Sequence, residues 1–98
     1  MNDKLPTLHY SELPPAEPGS MIAREWDTYR REAGRLLAEG HEGRFALIKR
    51  DQIVDLFDTH EKAQTAGSTR FLLEPYLIQQ VRTYEPLYHH VRYRPCPT

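Results

Sequence analysis

The chain has 98 residues, of which 28% are charged and 39% are hydrophobic, and its formal net charge is −1 at pH 7. This length suits one domain, and the near-neutral charge excludes a global electrostatic attraction to nucleic acid or to a membrane surface. The single cysteine, Cys96, excludes a disulfide within the chain, and residues 1–15 carry no signal-like apolar run, so we expect a reducing cytoplasm. No stretch approaches the ~18 apolar residues of a membrane-spanning helix, and we expect no membrane partner.

Residues 1–19 hold four of the eight prolines. Proline fixes φ and lacks an N–H donor, so neither a helix nor a central strand fits this segment, and we expect an extended arm. Four apolar side chains are candidates for anchoring the arm: Leu5, Leu8, Tyr10 and Leu13. The alternative is a frayed terminus.

The stretch GSMIAREWDTYRREAGRLLAEG predicts a helix over about 21–39. Its apolar residues recur with the helical period and form one stripe. They are Ile22, Trp26, Tyr29, Ala33, Leu36 and Leu37. Ser20 is the expected N-cap, and Gly40 suits the position after the last turn, where φ is often positive.

Two strands are predicted near 44–49 and 52–57, joined by the turn KRDQ, whose type stays open because it lacks an Asn-Gly signal. Asp58 then suits a helix cap, with Glu61 completing a capping box, and the helix should run to about Phe71. Pro75 ends helical geometry, and a third strand follows over about 76–82. The later piece PLYHHVRYR is a candidate fourth strand at an edge.

These elements predict one small α+β domain, built as helix, β-hairpin, helix and strand. The sheet should have three or four strands, in the order 2-1-3, with the helices on one face. The expected boundaries are an arm at 1–19, the α+β domain at 20–83 and a Tyr/Arg-rich extension at 84–98. Both faces of the first hairpin strand are apolar, so the arm, the extension or a second subunit should cover the remaining face.

The stretch EGHEGRFALIKRDQIVDLFDTHEKAQTAG resembles a family of short uncharacterised prokaryotic proteins, and the likeness continues into FLLEPYLIQQV. It covers about residues 29–82. The matching residues are Gly43, Arg44, Phe45, Leu47, Ile48, Val54, Phe57, Asp58 and Ala63. The chain departs from the family at Asp55, where glycine is usual, and at Phe45-Ala46, where Trp-Val is usual. The family has no assigned activity, so the resemblance implies a fold and no function.

Residues with catalytic or metal-binding chemistry form no motif in this sequence. The histidines and Cys96 show no CxxC, HxH or HExxH spacing, and the adjacent His89 and His90 would point to opposite faces of a strand. Acid–base catalysis needs carboxylates held together in a cleft, and of the neighbouring acids Asp55 and Asp58 the second is already expected to cap a helix. No glycine-rich phosphate loop is present. The sequence therefore indicates no enzyme, no cofactor and no metal.

The segment VRTYEPLYHHVRYRP combines arginine, tyrosine and histidine with a single acid, Glu85. The candidate contact residues are Arg82, Tyr84, Tyr88, His90, Arg92, Tyr93 and Arg94. Three interpretations stay open: tyrosines packed on the sheet, a protein interface rich in Tyr and Arg, or phosphate pairing and base stacking on nucleic acid. The function expected first is a non-enzymatic interaction module that binds another protein or itself as a homodimer. The alternative is a nucleic-acid-binding accessory protein.

Overall fold

Residues 7–86 are described by a computed structural model. The elements are β1 (Thr7–His9), a 3-10 turn (Tyr10–Glu12), α1 (Ala23–Ala38), β2 (Phe45–Lys49), β3 (Gln52–Phe57), α2 (His60–Phe71), β4 (Leu77–Gln80) and β5 (Tyr84–Pro86). Two helices and two small antiparallel sheets confirm the predicted α+β class. No helix among residues 7–86 is both long and apolar enough to cross a membrane.

The larger sheet has the strand order β3-β2-β4, and β2 is antiparallel to both neighbours. The pairing of β2 with β3 shifts by one residue between Leu47 and Ile48, which leaves Val54 as the extra residue of a bulge. The pairing of β2 with β4 continues past the strand ends, because Val81 N–H donates to Arg44 O at 2.8 Å. The most continuously apolar strand, β2, thus lies in the centre, where both neighbours satisfy its backbone.

Helix α1 packs on one face of this sheet. Side chains alternate along a strand, so Ala46 and Ile48 share the face opposite to Phe45 and Leu47. Ala46 and Ile48 are fully buried in one cluster with Leu36 and other residues of the α1 stripe. The remaining buried members of that cluster are Leu13, Tyr29, Ala33 and Val81.

Helix α2 packs on the opposite face. The ring of His60 meets the ring of Phe45 edge-on, with centroids 5.8 Å apart. Ala63 and Gly67 are buried, and a side chain at Gly67 would collide with the ring of Tyr76, which explains why the smallest residue stands there. The prediction that both helices share one face is therefore wrong. Both faces of β2 are apolar, and each of them is covered by its own helix.

The arm packs across α1 in the part that the structure describes. β1 pairs with β5, and Tyr10 N–H extends that ladder by donating to Thr83 O at 2.8 Å. Leu13 is buried in the core, and Trp26 Nε1 donates to Pro14 O at 2.7 Å. Residues 7–14 are thus anchored rather than frayed, and they pack against both α1 and the core cluster.

Two of the predicted caps are wrong by one or two residues. Helix α1 begins at Ala23, and the Ser20 hydroxyl accepts from Ile22 N–H just before the helix instead of capping its first turn. Helix α2 is capped by Thr59, whose hydroxyl accepts from Lys62 N–H at 3.1 Å, because Thr59 and not Asp58 directly precedes the first helical residue. The exit from α1 follows the prediction, since Gly40 has a φ of +87° after the last turn.

Candidate interaction site

A tight turn at the end of α2 exposes two adjacent leucines. Glu74 N–H donates to Phe71 O at 2.6 Å, so Leu72 and Leu73 occupy the two central positions of the turn. Their exposed fractions are 76% and 99%. We call residues 71–75 the leucine turn. Isolated exposed leucines are common in proteins, but two at the tip of one turn form an apolar protrusion.

The backbone of the leucine turn is strained at Leu72, where φ is +35° and ψ is −98°. A positive φ at the first central position is typical of a type II′ turn, which favours glycine there. An L-residue with a side chain loses about 1–2 kcal/mol in left-handed backbone. The chain therefore bears two costs at this point, the strain and the exposure of apolar surface. Strain of this kind is a reason to look for a function.

Lys49 fixes the leucine turn to the end of β2. Its ammonium donates to Pro75 O at 2.7 Å and lies 3.1 Å from the Glu74 carboxylate. The same ammonium lies 5.3 Å from the centre of the Phe71 ring. The Lys49 side chain is largely buried by these contacts. The turn is therefore held at three points by one side chain of the central strand.

The β2–β3 loop lies beside the leucine turn and is held by α1. Arg50 has a φ of +55°, the second positive value at a non-glycine residue among residues 7–86. Its N–H donates to Glu25 Oε2 at 2.7 Å, and its carbonyl accepts from the Thr28 hydroxyl at 2.5 Å. Glu25 and Thr28 are both buried. The sequence pattern does not single out this pair, because both are polar residues inside an otherwise regular helical pattern.

The two turns form one end of the molecule. A depression of about 290 Å³ between them is lined by Met21, Glu25, Lys49, Arg50, Glu74 and Pro75, among others. Met21 is 76% exposed and adds a third apolar side chain to this end. An exposed ion pair between Arg24 and Asp51, at 2.7 Å, belongs to the same rim. The arrangement is an apolar protrusion with a charged rim, which is the general anatomy of a protein interface.

Two of the predicted contact residues, Arg82 and Tyr84, lie within the described part of the chain, and each contacts other side chains there. The Arg82 guanidinium donates to Gln80 Oε1 at 2.6 Å and lies 4.0 Å from Glu85 Oε1. Tyr84 is 57% exposed and meets the ring of His9 edge-on, with centroids 5.3 Å apart. The other candidates, Tyr88, His90, Arg92, Tyr93 and Arg94, lie outside the described residues, as do His89 and Cys96.

Glu85 is the most unusual acid among the described residues, because its side chain is almost completely buried in β5. It accepts from Gln79 Nε2 at 2.8 Å. Burial raises the pKa of the Glu85 carboxyl, and the nearby Arg82 and Gln79 oppose this only partly. Burial also raises the pKa of Tyr29 to about 12. The Tyr29 hydroxyl accepts from Arg82 N–H at 3.3 Å, so this bond joins α1 to the segment between β4 and β5.

The two acids that the sequence singled out, Asp55 and Asp58, each have a local contact. Asp55 Oδ1 accepts from the N–H of Leu56 on the edge strand β3. Asp58 is exposed and lies 3.8 Å from the Arg44 guanidinium. In this part of the chain, no group of three or more His, Cys, Asp or Glu residues is placed to hold a metal ion.

Comparison with known proteins adds no relative. No family model, no curated protein and no solved structure matches this chain.

Proposed function

We propose that this chain is a protein-interaction module that inserts Leu72 and Leu73 into an apolar pocket of a partner protein. The observation that carries the proposal is the strained backbone of Leu72 beneath a pair of exposed leucines. Glycine at position 72 and a polar residue at position 73 would remove both costs without disturbing the turn. A binding partner supplies the missing gain, because it removes the leucines from water.

Rigid support of the leucine turn favours this function. The Lys49 ammonium holds the turn through Pro75 O, the Glu74 carboxylate and the Phe71 ring. A group that is already fixed in its binding position loses little conformational entropy when it docks, so more of the contact energy appears as affinity. Lys49 is accordingly a positioning residue, and the leucines make the contact.

The charged rim supports specificity. Arg24 and Asp51 are paired and exposed beside the leucine turn, and Glu74 is exposed on the turn itself. Rim charges of both signs add little affinity in water but select partners whose charges match and oppose those whose charges do not. A partner pocket with an apolar floor and mixed charges around it fits this pattern.

Nucleic-acid binding is the second candidate. Tyr84 favours it, since an exposed aromatic ring next to His9 is available to stack on a base. Arg82 favours it less, because Gln80 and Glu85 already face its guanidinium. Binding through Tyr84 and the basic extension should weaken steeply with salt, whereas binding through the leucine turn should not.

Photocrosslinking tests the proposal. A benzophenone amino acid is placed at position 73 and, as a matched control, at the exposed position 38 at the end of α1. We expect a discrete crosslinked protein from position 73 alone, resistant to nuclease and to 0.5 M salt (roughly three times physiological ionic strength). The partner identified in the crosslinked product is then purified in its free form and titrated with the wild-type chain and with Leu73→Asp.

We expect Leu73→Asp to bind the partner at least about tenfold more weakly, because the partner's apolar pocket is then no longer filled by a leucine. Equal crosslinking from positions 73 and 38, or equal binding by Leu73→Asp, would overturn the proposal. A nuclease-sensitive product that requires Tyr84 would favour the second candidate instead.

A further inference from the structure

Strand β3 lies at one edge of the larger sheet, and no strand within residues 7–86 pairs with its outer side. The outer side of an edge strand presents backbone N–H and C=O groups on which a second chain can add a strand. Four of the six residues of β3 are apolar, which makes such an addition favourable. A fold with an edge of this kind needs a feature that prevents pairing between copies.

The central strand shows which backbone groups of β3 point outward. Lys49 and Gln52 close the two-residue hairpin loop, so the backbone groups of Lys49 point toward β3. This direction alternates along a strand, so the backbone groups of Ala46, three residues earlier, point toward β4. Leu56 lies opposite Ala46 in the pairing of β2 with β3. The N–H of Leu56 therefore points away from β2, to the outer edge of the sheet.

The side chain of Asp55 already binds this outward N–H. Asp55 Oδ1 accepts from Leu56 N–H at 2.8 Å, and Asp55 is exposed. An added strand would have to displace the carboxylate from the donor and remove it from water, which is costly for a charged group. Aspartate is also one of the residues that strands disfavour. The bond to Leu56 accounts for its presence in an otherwise apolar strand.

The bulge at Val54 makes the same edge irregular. The outward backbone groups of a regular strand recur at every second residue, a spacing of about 7 Å. In β3 they belong to Ile53 and Leu56, which are three residues apart because Val54 is the extra residue. A regular partner strand cannot match both positions at once. The donor that Asp55 binds is therefore one of few positions at which an added strand could begin to pair.

We propose that the bond from Leu56 N–H to Asp55 Oδ1 closes the outer edge of β3 and so prevents a second copy of this chain from adding its own β3 to the sheet. Two copies offer the same edge to each other, and antiparallel pairing about a two-fold axis would use it twice. Each copy would have to give up its Asp55 bond, so the closure acts twice against one dimer. This role is independent of partner binding by the leucine turn.

Replacement of Asp55 tests the proposal. Asp55→Val removes the acceptor and supplies a side chain that favours strands, whereas Asp55→Asn keeps an acceptor oxygen of the same shape. Gln52→Val adds the same side chain at an exposed position of β3 and leaves the bond in place. Sedimentation equilibrium of all three and of the wild type extends to about 1 mM, which detects dissociation constants as weak as the millimolar range. We expect Asp55→Val alone to associate at least about tenfold more strongly than the wild type.

Amide hydrogen exchange locates the contact. In dilute Asp55→Val, the Leu56 N–H should exchange faster than in the wild type, and its exchange should slow as the concentration rises and the new strand pairs with it. Circular dichroism shows that each variant keeps the fold. Three outcomes would overturn the proposal: Asp55→Val that associates no more than the wild type, Asp55→Asn or Gln52→Val that associates as strongly as Asp55→Val, or association that leaves the Leu56 N–H unprotected.

Discussion

The Lys49 ammonium lies 2.7 Å from the carbonyl oxygen of Pro75 and so connects the end of the central strand to the turn that follows α2. This bond joins two segments that are 26 residues apart. It also places a cation beside the Glu74 carboxylate and over the Phe71 ring. The position of the exposed leucines therefore depends on one lysine of β2, and this dependence can be measured.

Lys49→Met should lower the free energy of unfolding by about 1–2 kcal/mol. The methionine keeps most of the apolar stem but leaves Pro75 O and the Glu74 carboxylate without their donor. Lys62→Met is the control, since Lys62 is an exposed lysine of α2 with no side-chain ion pair among the described residues. Urea unfolding measures both variants, and equal stability of the two would contradict the role given to Lys49.

Leu72→Gly should raise the free energy of unfolding by about 1 kcal/mol, because glycine adopts positive φ without strain. The same substitution at the neighbouring position, Leu73→Gly, should not raise the free energy of unfolding, since Leu73 is not in left-handed backbone. Both changes remove an exposed leucine and should weaken partner binding. A variant that is more stable yet binds less well would show that the strain serves binding. A drop in stability in Leu72→Gly would disprove the strain argument.

Glu25→Ala should destabilise the fold by about 1–2 kcal/mol. The Arg50 N–H then loses its acceptor in a partly buried place, and a donor left unsatisfied there is costly. Glu25→Gln keeps an acceptor oxygen of the same shape and should cost clearly less. Thermal and urea unfolding of both variants test this. If the two substitutions cost the same, the carboxylate acts through its charge and not by holding the β2–β3 loop.

Glu85 should make stability fall as the pH rises. Burial raises the pKa of the Glu85 carboxyl in the folded chain above its ordinary value near 4.5. Below that ordinary value, the carboxyl is protonated in both the folded and the unfolded chain, so burial of charge costs nothing. As the pH rises toward the folded-state pKa, the unfolded chain loses its proton first, and the free energy of unfolding declines to a lower plateau.

Glu85→Gln should therefore be more stable than the wild type at pH 7, with a difference that shrinks toward pH 4. Urea unfolding at pH 4, 5, 6 and 7 measures the difference, and Glu17→Gln in the exposed arm serves as the control. A wild-type chain that gains stability over Glu85→Gln as the pH rises would mean that the Arg82 guanidinium outweighs burial.

The sequence predicted the elements better than their placement. The apolar stripe of α1 and the two hairpin strands could be identified, because local periodicity determines both. The face that each helix covers could not, since Ala46 and Ile48 are as apolar as Phe45 and Leu47. The pairing of β1 with β5 was also missed, because it joins residues more than seventy positions apart and has no local signal.

The sequence patterns did not single out the leucine turn as a candidate site. Arg82 and Tyr84 were chosen by residue type alone. In the structure, the Arg82 guanidinium contacts Gln80 and Glu85. The leucine turn had one signal that was not used: Leu72 and Leu73 precede Glu-Pro at a helix end, where glycine is usual. Residue type alone cannot reveal a positive φ at leucine, because that conformation depends on contacts such as those of Lys49.

The pairing of Thr7 with Pro86 has a mechanical consequence. Strands β1 and β5 are antiparallel, and the chain enters and leaves this two-stranded ribbon at the same end. Force applied to both ends of residues 7–86 would therefore peel the ribbon apart one bond at a time, like a zipper, instead of loading all its bonds together. The arm would detach under small loads and expose α1, while the central sheet, whose strands are not at the points of attachment, would stay intact until the arm had gone.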